Sequence, residues 1–287
     1  MIALSRRLAG FLLLCAIAIP ASAATPPGIK VLKDIAYGPA KLQTMDVYLP
    51  PQPKDAPIIL MVHGGAWAFG DKTSPQVYEN KVARWVTRGF IFVSINYPMV
   101  PDSDPVEQTD DVARALAAAQ QAAPGWGGDP DRFILMGHSA GAHLVSLLNA
   151  DPSRASRLGV KPWLGTVSLD SGALDVPTIM QHKHFKFYDK AFGSDPVFWK
   201  AASPIDHFAK DGPPWLGVCN SNRPASCGPN KLYAAKARSL GLSAEILQEP
   251  LRHSEINREL GKPSGYTDAV EGFMSSLDPA VNALLRQ

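Results

Sequence analysis

Uninterrupted apolar runs alternate along this chain with stretches of helical periodicity. Residues 58–62, Ile-Ile-Leu-Met-Val, and residues 90–95 are runs of the first kind, as expected for strands buried on both faces. Residues 132–136, 163–170, 215–219 and 244–247 continue the series. Near the start, residues 31–37 and 44–49 also read as strands. There Met45, Val47 and Leu49 alternate with polar neighbours, the signature of a half-exposed antiparallel strand. Helices are expected over residues 76–87, closed by Gly89, and over 106–122, with acidic residues early and an alanine-rich body. Two more are expected over 231–240 and 267–285. Buried strands alternating with helices predict an α/β fold, with a mostly parallel sheet covered by helices on both faces. Residues 176–211 break the rhythm with Phe185, Phe187, Tyr188, Phe192, Phe198 and Trp199 and with His182, His184 and His207. They read either as a small cap inserted over the strand ends or as ordinary connecting helices.

The first residues stand apart from this pattern. Arg6 and Arg7 precede an apolar run over 8–19, and Pro20-Ala21-Ser22-Ala23-Ala24 follows with small residues at the spacing a signal peptidase accepts. Residues 1–23 are therefore expected to be a secretory signal peptide cut after Ala23, leaving 24–287 as a single domain. The run is short for a spanning helix, although an uncleaved anchor is the alternative. Cleavage leaves Cys219 and Cys227, eight positions apart, and an oxidising compartment predicts a disulfide between them; two free thiols are the alternative. No further cysteine pair or adjacent histidine completes a metal ligand set.

Composition narrows the function classes. The 287 residues are 46% hydrophobic and 19% charged, which suits a large core. A formal charge of +2 without basic clustering predicts neither a nucleic-acid partner nor, after signal cleavage, a membrane partner. The sequence assigns no oligomeric state.

Two motifs carry candidate chemistry. Gly137-His138-Ser139-Ala140-Gly141 follows the apolar run at 133–136 and precedes a helix-forming segment, the strand, turn and helix context of a nucleophile elbow. The turn brings backbones so close that side chains at Gly137 and Gly141 would collide. It presents the Ser139 hydroxyl where amide donors and a helix N-terminus favour negative charge. The second motif, His63-Gly64-Gly65-Ala66-Trp67, directly follows a buried strand. Acyl transfer builds charge on the former carbonyl oxygen, and backbone N–H groups aimed at it contribute about 3 kcal/mol each.

These segments, Val62-His63-Gly64-Gly65-Ala66-Trp67 and Gly137-His138-Ser139-Ala140-Gly141-Ala142-His143-Leu144, resemble the α/β-hydrolase esterases, in particular the feruloyl esterase-like and kynurenine formamidase-like branch. The resemblance runs from about Val31 to the C-terminus. It implies serine-dependent hydrolysis of a small-molecule ester without a metal or organic cofactor. Ser139 would be the nucleophile, and Gly65, Ala66 and Ala140 would supply the oxyanion amides. In this fold the base comes last in chain order, after the final strand, which points to His253 in the 250–254 loop. His63 and His143 are expected to be structural, and His138 to face the sheet or the pocket. The acid usually follows the next-to-last strand, yet residues 219–227 contain no Asp or Glu. Asp170 is the first candidate, Asp175 the second, and Asn222 an uncharged acceptor; an incomplete triad is the remaining possibility. The expected activity is secreted serine-dependent hydrolysis of carboxylic esters. An amidase of the aryl formamidase type, a non-catalytic ligand-binding protein on the same scaffold, and an acyltransferase are the alternatives.

Overall fold

The computed structural model describes residues 26–287, so the signal-peptide reading of residues 1–23 lies outside the described residues. These form one eight-stranded sheet: β1 (Lys30–Ala36), β2 (Thr44–Leu49), β3 (Ala56–Val62), β4 (Ile91–Ile95), β5 (Gly128–His138), β6 (Gly165–Leu169), β7 (Trp215–Asn220) and β8 (Ala244–Glu249). The strand order is β1-β2-β4-β3-β5-β6-β7-β8. β1 pairs antiparallel with β2, and β2 with β4; every later pairing is parallel. The helices are α1 (Pro75–Trp85), α2 (Pro105–Ala122), α3 (Ala140–Ala150), α4 (Pro152–Arg157), α5 (Val176–Met180), α6 (Lys186–Phe192), α7 (Pro196–Ala201), α8 (Pro224–Ser239), α9 (His253–Glu259), α10 (Gly265–Leu277) and α11 (Pro279–Leu285).

Two apolar layers clasp the sheet, and the period of two along each strand divides them. Ile58, Leu60, Val62, Phe133 and Leu135 face α2 and α3, where Val112, Leu116, Leu144 and Leu148 are buried. Ile59, Met61, Ile134 and Met136 face Val82, Trp85, Val270, Phe273 and Val281 of α1, α10 and α11. β3 is buried at all seven positions, as its unbroken apolar run predicts.

Four expectations need correction. β2 is antiparallel but not half-exposed: Met45 to Leu49 are all buried. Asp46 is covered through an ion pair with the buried Lys72 at 2.7 Å, and Tyr48 stacks on Tyr78 at 5.2 Å. α8 starts at Pro224, seven residues before the expected helix, because Pro224 occupies the first turn, where its missing N–H has no helical acceptor; Pro229 lies within the helix. The expected helix over 267–285 is two helices, divided where Asp278 caps α11 through the amides of Ala280 and Val281 and Pro279 opens it. Finally, His253 opens α9 rather than lying in a loop; the Glu255 carboxylate accepts the N–H of Arg252, 2.9 Å away, and fixes that start.

Cys219 and Cys227 form a disulfide, joining the end of β7 to the first turns of α8 with a Cα–Cα distance of 5.1 Å. Closing so short a loop removes about 2.5 kcal/mol of unfolded-chain entropy. Reduction should therefore lower the melting temperature by about 5 to 10 °C, measurable by calorimetry with and without a phosphine reductant. A second prediction concerns pH. Burial pushes His143 down to about 4 and His138 down to about 3. The unfolded chain takes up these protons near pH 6.5, where the folded one does not, so their contribution is complete above pH 6.5 and is lost as pH falls towards 3. The melting temperature should drop across that window, and His143→Gln should flatten the slope.

Candidate active site

Ser139 stands between β5 and α3 in a conformation few residues adopt, with φ 57° and ψ −115°. Its N–H donates to Leu169 O at 2.9 Å, tying the turn to β6. Crowding accounts for both flanking glycines. A Cβ at Gly137 would meet Gly141 O at 2.4 Å, and one at Gly141 would meet Val62 O at 2.2 Å. Ala140 opens α3, so its N–H has no intrahelical acceptor and is available to an anion at that terminus.

The 63–67 loop packs directly on this turn. A Cβ at Gly64 would lie 2.8 Å from Ser139 Cβ and from His138 O. Gly65 has φ 133°, and a Cβ there would overlap Phe69 O at 1.7 Å. The two motifs thus need each other's glycines. Two histidines expected to be structural buttress the arrangement. His63 stacks on Tyr97 at 4.6 Å between centroids, and its Nδ1–H donates to Gly64 O at 2.7 Å. His143 accepts from Trp67 Nε1 at 3.1 Å and donates Nε2–H to Ala202 O at 2.7 Å, which satisfies the neutral ring completely. His138 donates Nε2–H to His253 O at 2.9 Å, and its ring lies 4.6 Å from that of His253.

His253 Nε2 lies 3.0 Å from Ser139 Oγ, and its Nδ1 lies 2.6 Å from Asp170 Oδ2. The three side chains come from the ends of β5 and β6 and from the start of α9, 114 residues apart at the widest. Asp170 follows β6 directly, at φ 56°, and its side chain is 0% exposed. Asn220 N–H donates to Oδ1 at 2.9 Å, the Ser226 hydroxyl donates to the same oxygen, and Arg223 Nη2 donates to Oδ2 at 2.8 Å. Burial pushes the carboxyl upward, but the bonds from His253 and Ser226, the Arg223 charge and the Asn220 amide outweigh it and hold it at about 2. The other two acid candidates lie elsewhere. Asp175 caps α5, accepting from Thr178 N at 3.1 Å and Thr178 Oγ1 at 2.7 Å. Asn222 is exposed, and its N–H donates to Asn220 Oδ1 at 2.9 Å.

Sequence reasoning missed several supporting groups. Arg223, Ser226 and Asn220 lie in the segment that lacks an acid, and their only signal was that absence. Lys81 is buried in α1 and donates to Asn257 O at 2.6 Å, Asn257 Oδ1 at 2.9 Å and Gln76 O at 3.2 Å, which fastens α9 and so the backbone of His253. Burial lowers its ammonium to about 7.

The arrangement lines a cavity of about 450 Å³ that also includes Gly65, Ala66, Ala140, Arg223 and, from the 176–211 segment, Phe185, Phe187 and Tyr188. A hydroxyl paired with an imidazole, itself paired with a carboxylate, can transfer a proton and attack a carbonyl carbon in such a space. Among the described residues no cluster of three or more His, Cys, Asp or Glu could hold a metal ion, and no helix is long and apolar enough to cross a membrane.

Comparison with known proteins bears on the fold and the family. The family model BD-FAE matches residues 45–159, a span that includes both motifs. Esterase LipQ of Mycobacterium tuberculosis is 31% identical over 225 residues, 72% of this chain and 53% of that protein. Kynurenine formamidase of Danio rerio is 30% identical over 153 residues, 53% of this chain and 49% of that one. The chain thus spans about half the length of the curated relatives it matches. Among solved structures, esterase B from Lactobacillus rhamnosis superposes with a TM-score of 0.70 at 20% identity, covering 93% of this chain and 89% of that one. A truncated carbohydrate esterase from gut microbiota gives 0.72 at 17% identity, covering 85% and 95%. The sheet order, the elbow and these likenesses coincide: the chain has the α/β-hydrolase fold, and its residues 45–159 match the BD-FAE family model.

Proposed function

We propose that this protein is a secreted serine hydrolase that cleaves carboxylic esters through an acyl-enzyme on Ser139. The observation that carries the reading is the continuous hydrogen-bonded line from Ser139 Oγ through both nitrogens of His253 to Asp170 Oδ2, at 3.0 and 2.6 Å. Similarity to proteins named as esterases supports the choice of bond. Ser139 Oγ attacks the acyl carbon while His253 Nε2 takes its proton. Asp170 holds the Nδ1–H and stabilises the imidazolium. The amides of Gly65, Ala66 and Ala140 receive the developing oxyanion. His253 then returns the proton to the departing alcohol, and water repeats the sequence on the acyl-enzyme to release the acid. The reading as a non-catalytic binding protein rests on the missing acid in residues 219–227, and the Asp170–His253 contact at 2.6 Å counts against it. The N-terminal signal pattern and the Cys219–Cys227 disulfide support export to an oxidising compartment.

Labelling with a fluorescent phosphonate and turnover of p-nitrophenyl acetate test the reading. Ser139→Ala should lose the label and at least about 10⁴-fold in kcat. Wild-type protein that neither labels nor turns over any aryl ester overturns the proposal. The acid is tested separately. Asp170→Asn should lower kcat by about 10³- to 10⁴-fold, because the base loses its tautomer, whereas Asp175→Asn and Asn222→Ala should stay within about twofold. Comparing a short-chain aryl ester with an N-formyl aryl amide reads the bond preference. Faster amide cleavage would favour the formamidase alternative, for which the Danio rerio relative is the support.

A further inference from the structure

The segment from Cys219 to Cys227, which joins the end of β7 to the first turns of α8, holds no acid, yet its polar groups converge on Asp170 at the end of the neighbouring strand. Within eight residues it offers Asp170 a backbone amide from Asn220, a guanidinium from Arg223 and a hydroxyl from Ser226. The Cys219–Cys227 disulfide closes the ends of this segment on each other. Asn220 and Ser226 serve Oδ1, while Arg223 Nη2 serves Oδ2, the oxygen that also receives His253 Nδ1–H. Nη2 reaches Asp170 O as well, at 3.4 Å.

We propose that Arg223, held by the disulfide-closed loop, is a positioning residue that fixes the rotation of the Asp170 carboxylate and so aims Oδ2 at His253. The inference rests on the triad reading above. Two effects of Arg223 oppose each other. Its charge disfavours the imidazolium, since Nη2 is 3.4 Å from His253 Nδ1. Its bond also keeps a buried carboxylate in place. Coulomb energy falls with distance, and the contacts to the shared oxygen, 2.8 Å from Nη2 and 2.6 Å from Nδ1, are shorter than the one between the two cations, so the carboxylate holds the guanidinium and the ring together despite their repulsion. Other groups facing the ring leave Oδ2 unserved: His138 and Ser139 from the elbow meet its backbone carbonyl and its Nε2. On α9's own side Glu255 binds Arg252. Lys81 acts at one remove, through Asn257.

The experiment compares Arg223→Gln, Arg223→Lys and Ser226→Ala with the wild type in four readouts. These are kcat, KM, the rate of phosphonate labelling at Ser139, and the low-field proton resonance of the His253–Asp170 hydrogen bond. Arg223→Gln should lower kcat about tenfold or more, a transition-state loss, and leave KM within about twofold. Its labelling should slow by a like factor yet reach completion, and the low-field resonance should broaden or vanish. Arg223→Lys, which keeps the charge and N–H donors but not the planar fork, should recover at least about a third of the kcat. Ser226→Ala should lower kcat in the same sense without touching the charge. Mild reduction of the disulfide in folded protein should reproduce the kcat loss, and reoxidation should reverse it. Unchanged or higher kcat in Arg223→Gln, an effect on KM alone, or an intact resonance in a slowed variant overturns the assignment. Failure of the triad reading is distinguishable, because the wild-type protein itself would then not label.

Discussion

A single buried carboxylate organises this site. Asp170 has no exposed surface, and an ionised group in that position is costly unless donors surround it. Four converge on its two oxygens, from β7, from α8 and its approach, and from α9. Each bond fixes an element as well as a charge. β6 delivers the carboxylate, the disulfide-closed segment turns it, and α9 presents the imidazole to it. The His253 ring is oriented because the carboxylate is, and the Ser139 hydroxyl meets an imidazole nitrogen because the ring is oriented.

Backbone crowding supplies the other half of the construction. The elbow and the 63–67 loop approach so closely that a methyl group at Gly64, Gly137 or Gly141 would overlap backbone atoms of the other segment or of the turn itself. Glycine is what lets two loops from neighbouring parallel strands, β3 and β5, share one small volume. Ser139 and the amides of the 63–67 loop are therefore placed by sheet register rather than by side-chain contacts, and the flanking histidines and Tyr97 and Trp67 brace the result.

Much of this was legible in the chain. Buried parallel strands betray themselves because both faces demand apolar residues, and β3, β4 and β5 were read on that basis. Ser139 and the glycines were visible because their chemistry demands particular residue types at particular points of a strand, turn and helix, and His253 because the resemblance implies a base after the final strand. The acid was narrowed rather than read, since Asp170, Asp175 and Asn222 all lay near strand ends and only the fold shows that Asp170 meets the ring. Arg223 and Ser226 were invisible, because an arginine and a serine in a polar segment look alike whether they face solvent or a buried carboxylate. β2 misled for a related reason: Asp46 looked like a solvent-facing residue, but it is neutralised by Lys72, 26 positions away, and buried with it.

One feature at the mouth of the cavity has a thermodynamic consequence. Phe69 and Phe185 are 65% and 72% exposed, and Phe187 stacks on Phe185 at 5.6 Å between centroids. These phenyl rings remain hydrated while the site is empty. A guest whose apolar portion covers them strips that water away, so its association carries a negative heat-capacity change. The enthalpy of association then becomes more favourable on warming, in proportion to the ring area the guest covers.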